Sequence, residues 1–178
     1  MKDVEEEVAN CRECRKGKFG RLVFGEGNPK AKVMFVGEAP GSEEAIAGRP
    51  FVGRAGKFLD KLLASVGISR KDVYLTSPVK YYPGKRRLSK DEVLHGRTHL
   101  LKQIDAVNPR LVVAMGKTAL LALFQRDFKL EDVHGRILRA DGRTFFPTFH
   151  PAAAMRFPEI RKLMERDFRK LKRIVDIL

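Results

Sequence analysis

Four short apolar runs punctuate the chain: Lys32–Val36 (KVMFV), Val73–Thr76 (VYLT), Leu111–Met115 (LVVAM) and Thr144–Thr148 (TFFPT). None alternates apolar with polar positions, so each predicts a strand buried on both faces of a parallel sheet. Pro147 interrupts the last run and predicts a place at the sheet edge. Between the runs the period becomes helical. Apolar residues at 55, 58, 59, 62 and 63 predict a helix over Arg54–Leu63, with Gly67 as its C-terminal cap. Ser89, with Glu92 three positions on, is a capping-box signature for a helix over Lys90–Val107, which Asn108-Pro109 stops. Further helices are predicted from Lys117 to Phe124 and from Glu159 onward, the latter with Leu163, Met164, Phe168 and Leu171 on one face and a basic opposite face. Val4–Arg15 predicts a short helix ending at Cys11-Arg12-Glu13-Cys14, and 16–30 an extended piece and a turn. Strands separated by helices give one α/β domain over 1–178, three layers α/β/α around a central four-stranded, mainly parallel sheet.

Composition narrows the partner. The chain has 178 residues, 43% apolar, and a net charge of +14, a surplus that favours a polyanion such as nucleic acid. No stretch approaches the roughly 20 apolar residues of a membrane span, and MKDVEEEVANC lacks the apolar core of a signal peptide. The expectation is a cytoplasmic, nucleoid-associated monomer with DNA, single- or double-stranded, as partner and no membrane. Scarce Asn and Gln beside abundant Lys, Arg and Glu suit a heat-adapted source. The basic residues cluster in PVKYYPGKRRLSK, where Lys80, Lys85, Arg86, Arg87 and Lys90 are candidate phosphate contacts and Tyr81 and Tyr82 add aromatic surface.

A second feature is the turn Gly37-Glu38-Ala39-Pro40-Gly41 after the first strand, since open α/β sheets bind ligands at the carboxyl ends of their strands. The Gly116-Lys117-Thr118 turn is no phosphate-binding P-loop, because the upstream glycine is missing. GEAPGSEE, GRPFVGRAG, DVYLTSPVK, LVVAMG and FHPAA resemble, in order and spacing, the motifs of the uracil-DNA glycosylase superfamily, most closely its thermophile-type iron–sulfur branch, family 4. The resemblance implies a base pocket at the carboxyl edge of the sheet, capture of an extrahelical base and hydrolysis of its N-glycosidic bond. It places Glu38 as the carboxylate that holds or activates water and His150 as donor to the departing base. Gly37, Ala39, Pro40 and Gly41 would line the pocket and Phe51 would stack on the base. The segment from His150 to Arg156 resembles the wedge loop, with Met155 the candidate to fill the hole left by the flipped nucleotide and Ala154 the alternative.

Two positions depart from that pattern. The family's iron–sulfur cluster takes four cysteines; here Cys11 and Cys14 are present, while the other two positions fall at Tyr81 and near Gly96. The expectation is no cluster and no metal or cofactor, with the two thiols free, disulfide-bonded or holding adventitious metal. His95, His99 and His134 are expected to be structural or on the surface. In the pocket, Ser77 stands where the family carries an asparagine that pairs with uracil, and a hydroxyl cannot make the two-point amide contact. The leading reading is a monofunctional uracil-DNA glycosylase. The alternatives are a glycosylase for another deaminated or damaged base and a non-catalytic DNA-binding relative.

Overall fold

The computed structural model describes residues 1–178. The chain begins with two short helices, α1 (Lys2–Asn10) and α2 (Arg12–Arg15), and a two-residue strand β1 (Glu26–Gly27). Strand β2 (Val33–Val36) leads through a glycine-rich turn to α3 (Ser42–Ala47) and α4 (Arg54–Ser65), then to β3 (Val73–Thr76). A long loop precedes α5 (Lys90–Val107), which is followed by β4 (Leu111–Met115) and α6 (Lys117–Phe124). The chain finishes with α7 (Leu130–Val133), the hairpin β5 (Leu138–Ala140) and β6 (Arg143–Thr148), α8 (Pro151–Arg156) and α9 (Pro158–Val175).

The strands form one sheet in the order β1-β3-β2-β4-β6-β5. Its centre, β3-β2-β4-β6, is parallel as expected, but antiparallel β1 and β5 extend it to six strands. These two edges escape the sequence pattern because they are two and three residues long and their sides are not buried. β6 is not an edge strand, since it lies between β4 and β5. Pro147 is tolerated because its carbonyl accepts from Gly135 N on the β5 side, beyond the last residue that β5 pairs (Phe145). Its missing N–H faces that same side, where no strand asks for it.

The parallel strands are buried throughout, with Met34, Phe35, Val112 and Val113 fully enclosed. α4, α8 and α9 pack together, as do α5 and α6, which supplies the two helical layers. α9 buries Met164, Phe168 and Leu171, and Phe168 stacks on Phe35 with centroids 6.1 Å apart. The capping box at Ser89 and Glu92 forms as the sequence predicts. His150-PAAAM, expected as loop, is instead capped helix: His150 Nδ1 accepts from Ala152 N, and Pro151 takes the first helical position, where no N–H is needed. No helix is long and apolar enough to cross a membrane.

Candidate active site

In chain order the parallel strands step from β2 to β3 on one side, then return to β4 on the other. The carboxyl ends of β2 and β4 therefore diverge at a topological switch point. A cleft of about 620 Å³ opens there, lined by Glu38 to Glu44, Phe51, Ser77, Tyr82 to Gly84, His150 and the rim arginines Arg54, Arg86 and Arg156. Gly37 N donates to Thr76 O at 2.8 Å, which fixes the start of the turn to the end of β3.

The absence of a side chain at Gly37 has a specific cause. A Cβ there would stand 2.6 Å from Phe51 Cζ, so the ring occupies the space above the glycine. Phe51 is itself held in the left-handed region at φ 54°, a conformation costing on the order of 1–3 kcal/mol for a bulky residue. Arg70 supports it, with Nη1 donating to Phe51 O at 3.1 Å and Nη2 to Pro50 O at 2.7 Å. Glu44 ties the two walls together: Oε2 accepts from Gly41 N, and Oε1 from Val52 N and Gly53 N. Neither Arg70 nor Glu44 is distinguishable in the sequence from an ordinary surface charge.

Glu38 is exposed to the cleft, and its Oε2 accepts from Thr118 Oγ1 at 2.8 Å, across the switch point. Thr118 belongs to the turn read only as a helix start, and the hint it offered was its position at the end of a parallel strand. His150 faces the same cleft, its ring 6.4 Å from that of Phe51. Because His150 Nδ1 accepts the Ala152 amide, the ring proton sits on Nε2, the nitrogen left free to donate. Burial pushes the imidazole below its ordinary pKa, and the Glu38 and Glu44 carboxylates offset this only in part. The site thus pairs a carboxylate with a neutral imidazole N–H donor behind an aromatic wall.

The profile of the Uracil DNA glycosylase superfamily matches residues 24–172. The chain belongs to that superfamily. The Type-4 uracil-DNA glycosylase of Saccharolobus solfataricus is 41% identical over 182 residues, covering 95% of this chain and 83% of that protein. The Type-4 uracil-DNA glycosylase of Thermotoga maritima is 38% identical, covering 98% of this chain and 94% of that protein. The Type-5 uracil-DNA glycosylase of Pyrobaculum aerophilum is more distant, 34% identical over 75% of this chain and 67% of its own.

Within this glycosylase fold the remaining predicted residues separate. Ala39, Pro40, Gly41 and Ser77 line the cleft. The Ser77 hydroxyl donates to Val79 O at 2.7 Å, so only its lone pairs face a ligand. Lys85 and Arg87 are exposed on the basic loop, and Lys90 is exposed at the first position of α5. Arg86 lines the cleft but is held by Glu92 through bonds of 2.7 and 2.6 Å, which offset its charge. Lys80 is no surface contact: it is 1% exposed, and its Nζ donates to Phe24 O, Thr76 Oγ1 and Gln103 Oε1. Burial depresses its pKa to about 7. Met155 is 45% exposed on α8 and reaches the cleft, whereas Ala154 is 2% exposed in the core and cannot be a wedge.

The histidines also separate. His134 is structural as expected, with Nδ1 2.9 Å from buried Asp167, which accepts from Thr148 Oγ1. His95 and His99 are not bystanders, because the fold brings them to Cys11 and Cys14 with all four ligand atoms within 4.8 Å of one another. Burial pushes the Cys14 thiol up to about 12, and neighbouring Cys11 adds to this. The sequence signal was there: Cys-x2-Cys, and two histidines one helical turn apart.

Proposed function

We propose that the protein removes uracil from DNA by hydrolysing the N-glycosidic bond, as a monomeric, monofunctional glycosylase acting on nucleoid DNA. The observation that carries the reading is the convergence of Glu38 and His150 on one cleft walled by Phe51. The base, taken out of the duplex stack, lies against Phe51, an interaction of about 1–3 kcal/mol. Glu38 orients a water toward the sugar carbon, and its charge favours the cationic character that develops there. As the bond breaks, negative charge gathers on the base, and His150 Nε2–H donates to its oxygen without needing to be protonated. The cleft lining contains arginines but no lysine, so no amine is placed for a Schiff-base route.

The geometry at Ser77 favours a second reading on specificity. A hydroxyl whose proton is committed to Val79 O offers an acceptor. It complements the ring N–H of uracil and repels the unprotonated N3 of cytosine, but it accepts equally from the ring N–H of another deaminated base. Lys85, Arg87 and Lys90 engage phosphates beside the cleft, Arg156 does so at its rim, and Met155 fills the vacated stack. Single-turnover base release from oligonucleotides carrying uracil, hypoxanthine, xanthine or no lesion tests both readings. Fast release of uracil supports the first, and faster release of another base supports the second. Tight binding without release of any base defeats both.

A further inference from the structure

Away from the cleft, the N-terminal segment and α5 build a site that the glycosylase reading leaves unused. Cys11 caps α1 and Cys14 sits in α2, while His95 and His99 lie one turn apart on α5. Cys11 Sγ and Cys14 Sγ are 3.2 and 3.4 Å from the same atom, His95 Nε2. His99 is 4% exposed, yet neither of its ring nitrogens has a hydrogen-bond partner. A buried imidazole so orphaned is destabilising unless something ligates it. On its outer side, Glu7 Oε1 lies 3.4 Å from His99 Nδ1, and Lys102 Nζ holds Glu7 at 2.6 Å. A carboxylate behind a metal-bound imidazole has this placement.

The donor set does not fit the iron–sulfur cluster of the family branch that the chain resembles. A four-iron cluster takes four thiolates, and the two other positions are occupied by Tyr81, buried, and Gly96. A cysteine at Gly96 is excluded sterically, since even a Cβ there would run into Pro78 O. A two-iron cluster with mixed ligands puts its cysteine pair and its histidine pair on different irons. Here both sulfurs instead crowd one histidine nitrogen. Tetrahedral zinc, with bonds of about 2.3 Å to sulfur and 2.0–2.1 Å to nitrogen, spaces its ligand atoms roughly 3.3–3.8 Å apart. Cys-x2-Cys and His-x3-His are also the ligand spacings of closed structural zinc sites.

We propose that Cys11, Cys14, His95 and His99 bind one zinc ion that fastens the N-terminal helices to α5. Binding displaces the thiol protons to solvent, and four protein ligands leave no position for substrate. The ion works as a staple because the apolar cluster beneath it is small: Val8, Cys14, Phe24 and Tyr81. The segment it secures continues to Phe19, which exchanges backbone hydrogen bonds with Tyr82 in the basic loop, and to Lys18, which pairs with Glu92. Loss of the ion therefore loosens the basic wall of the cleft.

The test begins with metal analysis of the full chain purified anaerobically, where one zinc per chain and no stoichiometric iron is expected. The protein is then stripped with a chelator under reducing conditions and titrated with Co2+. Saturation at one equivalent, tetrahedral d–d bands, thiolate charge-transfer bands and displacement by Zn2+ are expected, with a higher Tm in zinc than in the stripped state. Cys14→Ser should weaken the charge-transfer bands, and His95→Ala and His99→Ala should each lower Co2+ affinity by about tenfold or more. If a ligand variant does not fold, Glu7→Ala, altered only behind the ligand, should still lower affinity by about 10–100-fold. Stoichiometric iron and sulfide, an octahedral cobalt spectrum, or Co2+ affinity indifferent to both histidines would overturn the proposal.

Discussion

Thr118 Oγ1 donates to Glu38 Oε2 at 2.8 Å, joining the carboxyl ends of β4 and β2 across the switch point of the sheet. The bond fixes the rotation of a carboxylate on a glycine-rich turn that would otherwise sample several orientations. Thr118→Val keeps the shape and removes the donor. Base release should slow roughly tenfold, the value of about 1.5 kcal/mol for a hydrogen bond to a charged group, with lesion binding unchanged. Glu38→Gln should cost more, on the order of 10² or above, because the charge is lost as well. Single-turnover release measured beside equilibrium binding separates the two effects. Equal rates for wild type and Glu38→Gln would remove Glu38 from the mechanism.

His150→Ala should slow release by about 10²–10³ for the loss of one donor to the leaving base. The pH profile is the sharper check. With its pKa pushed down by burial, His150 stays neutral through the range where an ordinary histidine, near 6.5, takes a proton. No acid limb in base release due to His150 should appear until pH falls below that value. A rate that instead falls as pH rises through the histidine range, and does so only while His150 is present, would contradict the neutral-donor role, because the imidazolium would then be the working form.

The same shift makes a stability prediction. As pH falls below about 6.5, the unfolded chain protonates His150 before the native state does, so the native state loses stability until its own lower pKa is passed. His150→Gln removes this contribution. The Tm difference between pH 8 and pH 5 should be smaller in the variant than in wild type, as read by calorimetry.

Gly37→Ala drives a methyl group against Phe51 Cζ and should tilt the ring out of the pocket. Lesion binding should weaken by an amount comparable to Phe51→Ala, about 1–3 kcal/mol. In the Phe51→Ala background the same Gly37→Ala change should cost little, since the clash has gone. Additive losses in the double variant would show that Gly37 acts through something other than the ring.

The basic loop and Lys80 make opposite predictions. Replacing Lys85, Arg87 and Lys90 by alanine should flatten the dependence of log K on log salt by up to about 0.9 for each phosphate that is no longer neutralised. Lys80→Ala should leave that slope alone and lower Tm, because a fully buried side chain gives way to a cavity, although Phe24 O keeps Gln103 Nε2 as donor and Gln103 Oε1 keeps Thr76 Oγ1. A reduced salt slope in Lys80→Ala would return this lysine to the DNA surface.

The parallel centre of the sheet was legible from the sequence because those strands are covered on both sides, which forces continuous apolar runs such as Leu111–Met115. The Ser89–Glu92 cap and the turn from Gly37 to Gly41 were legible because local backbone geometry selects those residue types. What tertiary structure alone decided is where charge and chemistry end up. Lys80 sits within a run of surface cations in sequence, yet the end of β3 carries it inward to Gln103, 23 positions away. Thr118 meets Glu38 over a separation of 80 residues, and His95 meets Cys11 over 84. Local pattern records which face of an element is apolar, because burial acts on every turn or pleat. It does not record which polar groups from distant elements share a site, since that depends on strand order and on how the helices stack against the sheet.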